Sequence, residues 1–242
     1  MSGLEPGSSS LPSRARVVIL LVCSTAAANP RDFTHAYQYP TLPEGEGEVA
    51  LWHGQTYFRG AESVEDQLQI GFGVHDQIEL SLFGVFGENT DSAFGFHELR
   101  GEARFRIADR GQLPVDLGVL VSAGRAFGTS AFPLEARLEL ARDLGRLALV
   151  ANGSFVNLRG SDVTGPHVQT VWAGGATYEL APWCHVGAET WGQYTSEGTL
   201  GWAGPALGLV ASPRLWFALS LGKGLTSTSE DFSGRLIVGF AR

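Results

Sequence analysis

The sequence predicts an all-β protein: an antiparallel transmembrane β-barrel of about 12 strands, with short periplasmic turns and longer extracellular loops. Three observations carry this. Period-2 alternation recurs from Glu48 to Phe240, tight and loose connections alternate along it, and Gly supplies 32 of the 242 residues, roughly twice its usual share. No later run reaches the roughly 18 apolar residues of a spanning helix, so any membrane crossing is by strands.

The N-terminus has the pattern of a targeting segment. Arg14 and Arg16 precede the apolar run VVILLVC (17–23), and STAAAN follows with small residues at Ala26 and Ala28. A charged region, a short apolar core and an A-x-A-like site predict a signal peptide over 1–28, cleaved after Ala28. The alternatives are a buried apolar strand or a lipidated Cys23, though Val22 stands where lipoprotein signals usually carry a small residue. Removing 1–28 leaves 15 basic and 24 acidic residues, a net charge of −9 against −8 for the whole chain. Cys184 is then the only cysteine, so no internal disulfide forms.

Residues 29–47, rich in Pro, Gly and Glu, read as a periplasmic N-terminal segment or a plug for the lumen, and 48–242 as the barrel. The strands follow in order. EVALWHGQTYF (48–58) is succeeded by QLQIGFGV (67–74), where Leu68, Ile70, Phe72 and Val74 alternate with Gln67, Gln69, Gly71 and Gly73. QIELSLF (77–83) alternates in the same way, and HELRGEARFRI (97–107) carries Glu98, Arg100, Glu102, Arg104 and Arg106 on one parity against Leu99, Ala103, Phe105 and Ile107 on the other. PVDLGVLVSAG (114–124), LEARLEL (134–140), LALVANGSFVNL (147–158), VQTVWAGGATYEL (168–180), HVGAETWGQY (185–194), WAGPALGLVA (202–211), LWFALSL (215–221) and RLIVGF (235–240) complete the set. Such alternation specifies strands with one apolar and one polar face. A strand crossing a bilayer needs about 9–11 residues, and the count is even, as bacterial single-chain barrels require.

The connections alternate in length. Tight turns are expected at 74–77, 108–114, 142–146, 181–184 and 212–214, and looser polar stretches at 59–66, 87–95, 128–132, 159–166, 195–201 and 225–234. With the N-terminus on the periplasmic side, every tight turn is periplasmic and every loose one extracellular.

Hydrocarbon leaves backbone N–H and C=O groups unsatisfied, so spanning strands close into a cylinder without edges. Apolar positions such as Leu99 and Ile107 then meet lipid. The polar positions line the lumen and set selectivity: Gln67, Gln69, Glu79, Glu98, Arg100, Glu102, Arg104, Arg106, Asp116, Glu135, Arg137, Glu139, Glu189 and Arg235. On the lipid face an Arg would cost about 2–4 kcal/mol near the midplane. Aromatic residues gather near strand ends, and Trp52, Tyr57, Trp172, Tyr178, Trp183, Trp191, Tyr194, Trp202 and Trp216 are expected to form interfacial girdles.

Three stretches resemble the Gram-negative outer-membrane β-barrel channels, especially the family named for the phenol-degradation MetA pathway: YPTLPEGEGEVALWHGQTYF (39–58), DQLQIGFGVHDQIELSLFG (66–84) and GRLIVGFAR (234–242). The last is similar to a C-terminal signal for barrel-assembly machinery, except that Ala241 and Arg242 follow the final aromatic, Phe240. The resemblance implies a partner in that machinery, outer-membrane lipid around the barrel, and passage of small solutes.

A negative charge without Lys/Arg clusters gives no basis for nucleic-acid binding. The six histidines, His35, His53, His75, His97, His167 and His185, are scattered, and no G-x-S-x-G, C-x-x-C or H-E-x-x-H is present. GENTDS (87–92) lacks calcium-loop spacing, and GKGLTS (222–227) lacks the phosphate-loop pattern. No catalytic residue, metal or cofactor is therefore assigned. The expected function is a narrow channel or passive transporter, with a filled-lumen scaffold as the first alternative and a lipid-directed hydrolase as the second.

Overall fold

The computed structural model describes residues 30–58, 61–89, 92–160, 168–195 and 198–242. The expected signal peptide, its cleavage site and Cys23 lie outside the described residues, as do parts of four expected loops, including residues 90 and 91 of GENTDS.

Twelve strands form: β1 Gly47–Phe58, β2 Ala61–His75, β3 Ile78–Asn89, β4 Ser92–Arg106, β5 Asp116–Ala126, β6 Phe132–Leu144, β7 Leu147–Arg159, β8 Val168–Ala181, β9 Cys184–Thr195, β10 Gly198–Ser212, β11 Leu215–Gly224 and β12 Phe232–Ala241. Each pairs antiparallel with its sequence neighbours, and β12 returns to β1 to close the barrel. The seam runs from Glu48 opposite Ala241 to Tyr57 opposite Phe232. Reciprocal bonds between Gly47 and Arg242, 3.1 and 2.8 Å, finish it. All twelve expected strands are present.

Connection lengths differ from expectation in a physically informative way. The stretches 59–66, 87–95 and 195–201 are mostly strand. There the outward face turns polar: His53 pairs with Asp66 at 2.7 Å and Gln55 bonds Glu62. These strand ends continue as a ribbon beyond the apolar belt, so they lose apolar alternation without losing backbone pairing. Conversely, β4 and β5 are joined by residues 107–115, the longest connection at the end that carries Gly47 and Arg242. The β6–β7 turn is as tight as expected, and Gly145 (φ 67°) supplies the left-handed conformation that two-residue hairpins favour.

Outward positions form a continuous apolar belt that includes Val49, Leu51, Leu68, Ile70, Phe72, Leu80, Leu82, Val121 and Leu138, all exposed. In membrane barrels a belt of this kind is the surface that hydrocarbon covers. The barrel's protein core is instead its lumen, and residues 30–46 run through it. Phe33, Thr34, Ala36, Tyr37, Tyr39 and Leu42 are all buried there.

Candidate functional site: the occupied lumen

Alternation aims one parity of each strand inward, and the fourteen expected lumen residues lie on that parity. Gln67, Gln69, Glu79, Glu102, Arg104, Asp116, Glu139 and Glu189 are buried, while Glu98, Arg100, Arg106, Glu135, Arg137 and Arg235 are partly exposed. Their ion pairs run along the wall. Arg100 contacts Glu102 at 3.1 Å and Glu98 at 3.6 Å, two positions away on the same strand. Arg137 contacts Glu135 at 2.7 Å in the same way, and Arg104 lies 3.5 Å from both Glu79 on β3 and Glu139 on β6. Spacing of two residues on one strand keeps such pairs flat against the wall. What crosses the lumen is the chain itself.

Residues 30–46 form no strand until Gly47, so their backbone donors need other partners. The wall supplies them. Glu189 accepts from three successive backbone N–H groups, Thr34 at 3.2 Å, His35 at 2.7 Å and Ala36 at 2.5 Å, and also from the Thr34 hydroxyl at 3.2 Å. Asn152 clasps one residue from both sides: its Oδ1 accepts from the Tyr37 N–H and its Nδ2 donates to the Tyr37 carbonyl at 3.0 Å. Glu79 accepts from the Leu42 N–H at 3.0 Å. The Asp76 carbonyl accepts from the Thr41 hydroxyl at 2.7 Å. Asp32 pairs with His185 and accepts from the Thr177 hydroxyl at 3.3 Å. Glu46 and Gly45 then exchange 2.9 Å bonds with Gly73, guiding the chain into β1.

Packing follows the same plan. The Tyr37 ring receives three guanidinium groups, Arg137 at 4.1 Å and Arg31 and Arg104 at 4.8 Å, an arrangement favoured by the ring's negative face. His35 stacks on Trp191 with ring centroids 3.9 Å apart. Inward glycines make the room. A Cβ at Gly175 would enter the Phe33 ring, one at Gly73 would meet the Pro43 and Leu42 carbonyls, and one at Gly208 would lie 2.8 Å from Asp32 Oδ1.

Four of the expected interfacial aromatics are corrected. Trp52, Trp191, Trp202 and Trp216 are at most 8% exposed and point into the barrel. Inside, three of the indole N–H groups find acceptors: Trp52 bonds Gln69 at 3.0 Å, Trp216 bonds Glu48 at 3.1 Å and Trp202 bonds the Glu230 carbonyl at 3.1 Å. Proximity to a strand end does not distinguish the two faces; parity does, and Trp216 shares its parity with the fully buried Ala218 and Ser220. Tyr57, Tyr178, Trp183 and Tyr194 are exposed on the outside. Trp172 has the parity opposite to the buried Ala173 and Thr177, and its ring lies against Gly192 and Gly201.

Asn152 was missed by sequence reasoning, as were Arg31, Asp32, Thr34 and Tyr37. Asn152 stands on the parity of Ser154 in β7, which could have marked it as inward. The buried load of Phe33, Tyr37, Tyr39 and Leu42 is heavy for a solvated leader and could have marked the segment.

The described histidines are engaged separately. His53 pairs with Asp66, His185 with Asp32, His97 Nε2 lies 2.6 Å from the Gly87 carbonyl, and His75 Nδ1 accepts from the Gln77 N–H at 3.2 Å. His167 lies outside the described residues.

Residues 30–46 separate two cavities. One of about 230 Å³, lined by Pro30, Asp32, Tyr39, Arg110, Asp143 and His185 among others, opens at the end bearing the termini. The other, of about 290 Å³, opens toward the far end and is lined by His35, Tyr37, Trp52, Arg100, Arg137, Trp191, Trp202, Glu230 and Arg235 among others.

A closed twelve-stranded antiparallel barrel with an apolar belt and a polar interior has the architecture of the outer-membrane porins. Among solved structures the chain is similar to the NanC porin, at 13% identity and a TM-score of 0.57, over 79% of this chain and 98% of that one. It is equally similar to the KdgM porin, at 10% identity and a TM-score of 0.57, over 80% and 98% of the two chains. KdgM has also been solved in complex with disordered oligogalacturonate, and that structure matches at 11% identity. No protein-family model matches the sequence, and no curated protein matches it. These likenesses support the outer-membrane barrel architecture and do not single out the MetA-pathway family.

Proposed function

We propose that the protein is a narrow bacterial outer-membrane channel for passive passage of small polar solutes, and that residues 30–46 are its internal gate. The observation that carries this reading is the direction of the ion pairs: they run along the wall and leave the axis to a single peptide segment held by side chains. A covalently tethered segment of that kind can leave the lumen without breaking a barrel hydrogen bond. The end carrying the termini is then periplasmic, and the signal peptide and assembly machinery deliver the chain to the outer membrane. The outer cavity balances Arg100, Arg137 and Arg235 against Glu102, Glu135 and Glu230, which supports a solute without large net charge.

The test is planar-bilayer recording of the mature protein beside a variant lacking residues 30–46. Rare brief openings in the first and sustained discrete steps in the second are the expected result. The filled lumen favours one other reading, a structural barrel whose N-terminal segment is permanent packing. Silence from both proteins, each shown to be folded and inserted, would replace the channel with that scaffold.

A further inference from the structure

The outer cavity contains more than a passage needs. Most of its charged groups are held in close ion pairs: Arg100 donates to Glu102 at 3.1 Å and to Gln67 at 3.0 Å, and Arg137 donates to Glu135 and to Ser154 Oγ, with only its Nη1 left over. Two have no ion pair shorter than 4.0 Å among the described residues. Arg235 on β12 reaches Glu65 only at 4.0 Å, and Glu230 has a buried Oε2 without a hydrogen-bond partner among the described residues.

Glu230 is placed there by construction. The β11–β12 connection, residues 225–231, folds onto β10: Ser229 Oγ accepts from the Gly201 N–H at 2.8 Å and donates to the Gly201 carbonyl at 2.9 Å. Thr226 and Thr228 hydroxyls both donate to the Thr199 carbonyl at 2.8 Å, and Trp202 Nε1 holds the Glu230 carbonyl. The cavity thus has one loosely paired cation, one unpaired carboxylate, and aromatic walls in Trp52, Trp191 and Trp202. Glu230 is half-buried as a residue, but its Oε2 is shut off from solvent and lacks the partner that offsets the cost of burying a charge.

We infer that this vestibule is a binding site for small zwitterions of amino-acid type. The solute's ammonium group meets Glu230, its carboxylate meets Arg235, and its apolar body lies on the tryptophans. A volume of about 290 Å³ admits a single amino acid and rejects a long oligomer. His35 and Tyr37 of the gate line the same cavity, so the solute sits directly on the segment it must displace. The inference deepens the channel reading and rests on it for its physiological purpose, but binding can be measured without any conduction.

The experiment uses the refolded mature protein in micelles and reads tryptophan fluorescence, with calorimetry as the second readout. Three probes share a five-membered ring and differ in the charged groups it bears: proline, cyclopentanecarboxylate, which lacks the ammonium, and pyrrolidine, which lacks the carboxylate. Proline is expected to saturate, with both analogues at least roughly tenfold weaker, since each loses one charge-assisted hydrogen bond. Glu230→Gln should weaken proline by a similar factor and leave cyclopentanecarboxylate as tight or tighter, since it removes a like charge. Arg235→Gln should weaken proline and leave pyrrolidine as tight or tighter for the same reason. Heat-modifiable gel mobility verifies that each variant is folded. The assignment is overturned by the absence of saturable proline binding, or by three probes that bind alike and ignore both substitutions. A protein that conducts but does not bind proline loses this site and keeps the channel; one that binds proline and never conducts keeps the site and loses the channel.

Discussion

Glu189→Ala is the sharpest test of how the N-terminal segment is held. The carboxylate accepts four bonds, and the two short ones, from His35 at 2.7 Å and Ala36 at 2.5 Å, carry most of the energy. A hydrogen bond to a charged group contributes about 1.5–3 kcal/mol. Against this, Glu189 regains solvation when the segment leaves, and in the variant water enters the vacated space and bonds some of the stranded N–H groups. The net loss of seating free energy is about 2–4 kcal/mol. At roughly tenfold per 1.4 kcal/mol, the released state gains about 30- to 1,000-fold in relative population. Single-channel open probability reads that population directly, and Glu189→Gln, which keeps one acceptor oxygen, should fall between. An alanine variant that is folded and opens no more often than the parent, while deletion of 30–46 opens the pore, would refute the clasp as the holding interaction.

Other expectations follow from the same geometry. Gly208→Val should open the channel by forcing Asp32 out of its berth, since the nearest atoms its Cβ meets all belong to Asp32 and Arg31; in a chain already lacking 30–46 the same substitution should leave conductance unchanged, and an effect there would contradict the berth. Burial, and then the charge of Arg235, hold the His35 imidazole well below its usual pKa, so the seated form resists protonation. Above about pH 6.5 both forms are neutral, and as pH falls through that value release gains a proton that seating does not. Protonation of His185 beside Asp32 of the same segment favours seating instead, so the His35 contribution is read as a difference: the ratio of open probability at pH 5 to that at pH 7.5 should be larger in the parent than in His35→Asn, and equal ratios would refute it. On the outer belt, Ile70→Arg should destabilise the barrel by about 2–4 kcal/mol in urea titrations in lipid vesicles, because Ile70 lies between Val49 and Leu82 in the middle of the belt.

The barrel was legible because lipid outside and polar groups inside impose a two-residue period on every strand, and stretches such as 97–107 display it without interruption. The tryptophans were harder to place. An indole satisfies an interface and a lumen for the same reason, an apolar body with one donor, so position along the strand is ambiguous and parity alone decides. The held segment left the weakest trace. Its backbone is satisfied by Glu189, Asn152, Glu79 and Asp76 from three distant parts of the chain, a pattern with no period. Only its content was a signal, three aromatics and a leucine set among prolines and polar residues.

The wall arginines do three different jobs, and this changes how their substitution must be read. Arg100 borders the outer cavity, and its partners among the described residues are the wall groups Glu102, Gln67 and Glu98. Arg104, pressed between Glu79, Glu139 and the Tyr37 ring, holds both wall and gate. Arg106 donates to the Asp76 carbonyl at 2.9 Å and pairs with Asp109 at 3.3 Å, so it fastens a turn at the mouth. Changing all three to Ser in the full chain therefore mixes a change of selectivity with a loosened gate. In the chain lacking 30–46 the contributions separate: Arg100→Ser should shift the reversal potential toward cations, Arg104→Ser should do so more strongly because it leaves two buried carboxylates unpaired, and Arg106→Ser should leave it nearly unchanged. In the full chain the order by open probability is different, with Arg104→Ser first, since it alone of the three touches Tyr37. Equal selectivity shifts from all three would mean that the wall acts as one averaged field, and the separate positions argued here would have no functional meaning.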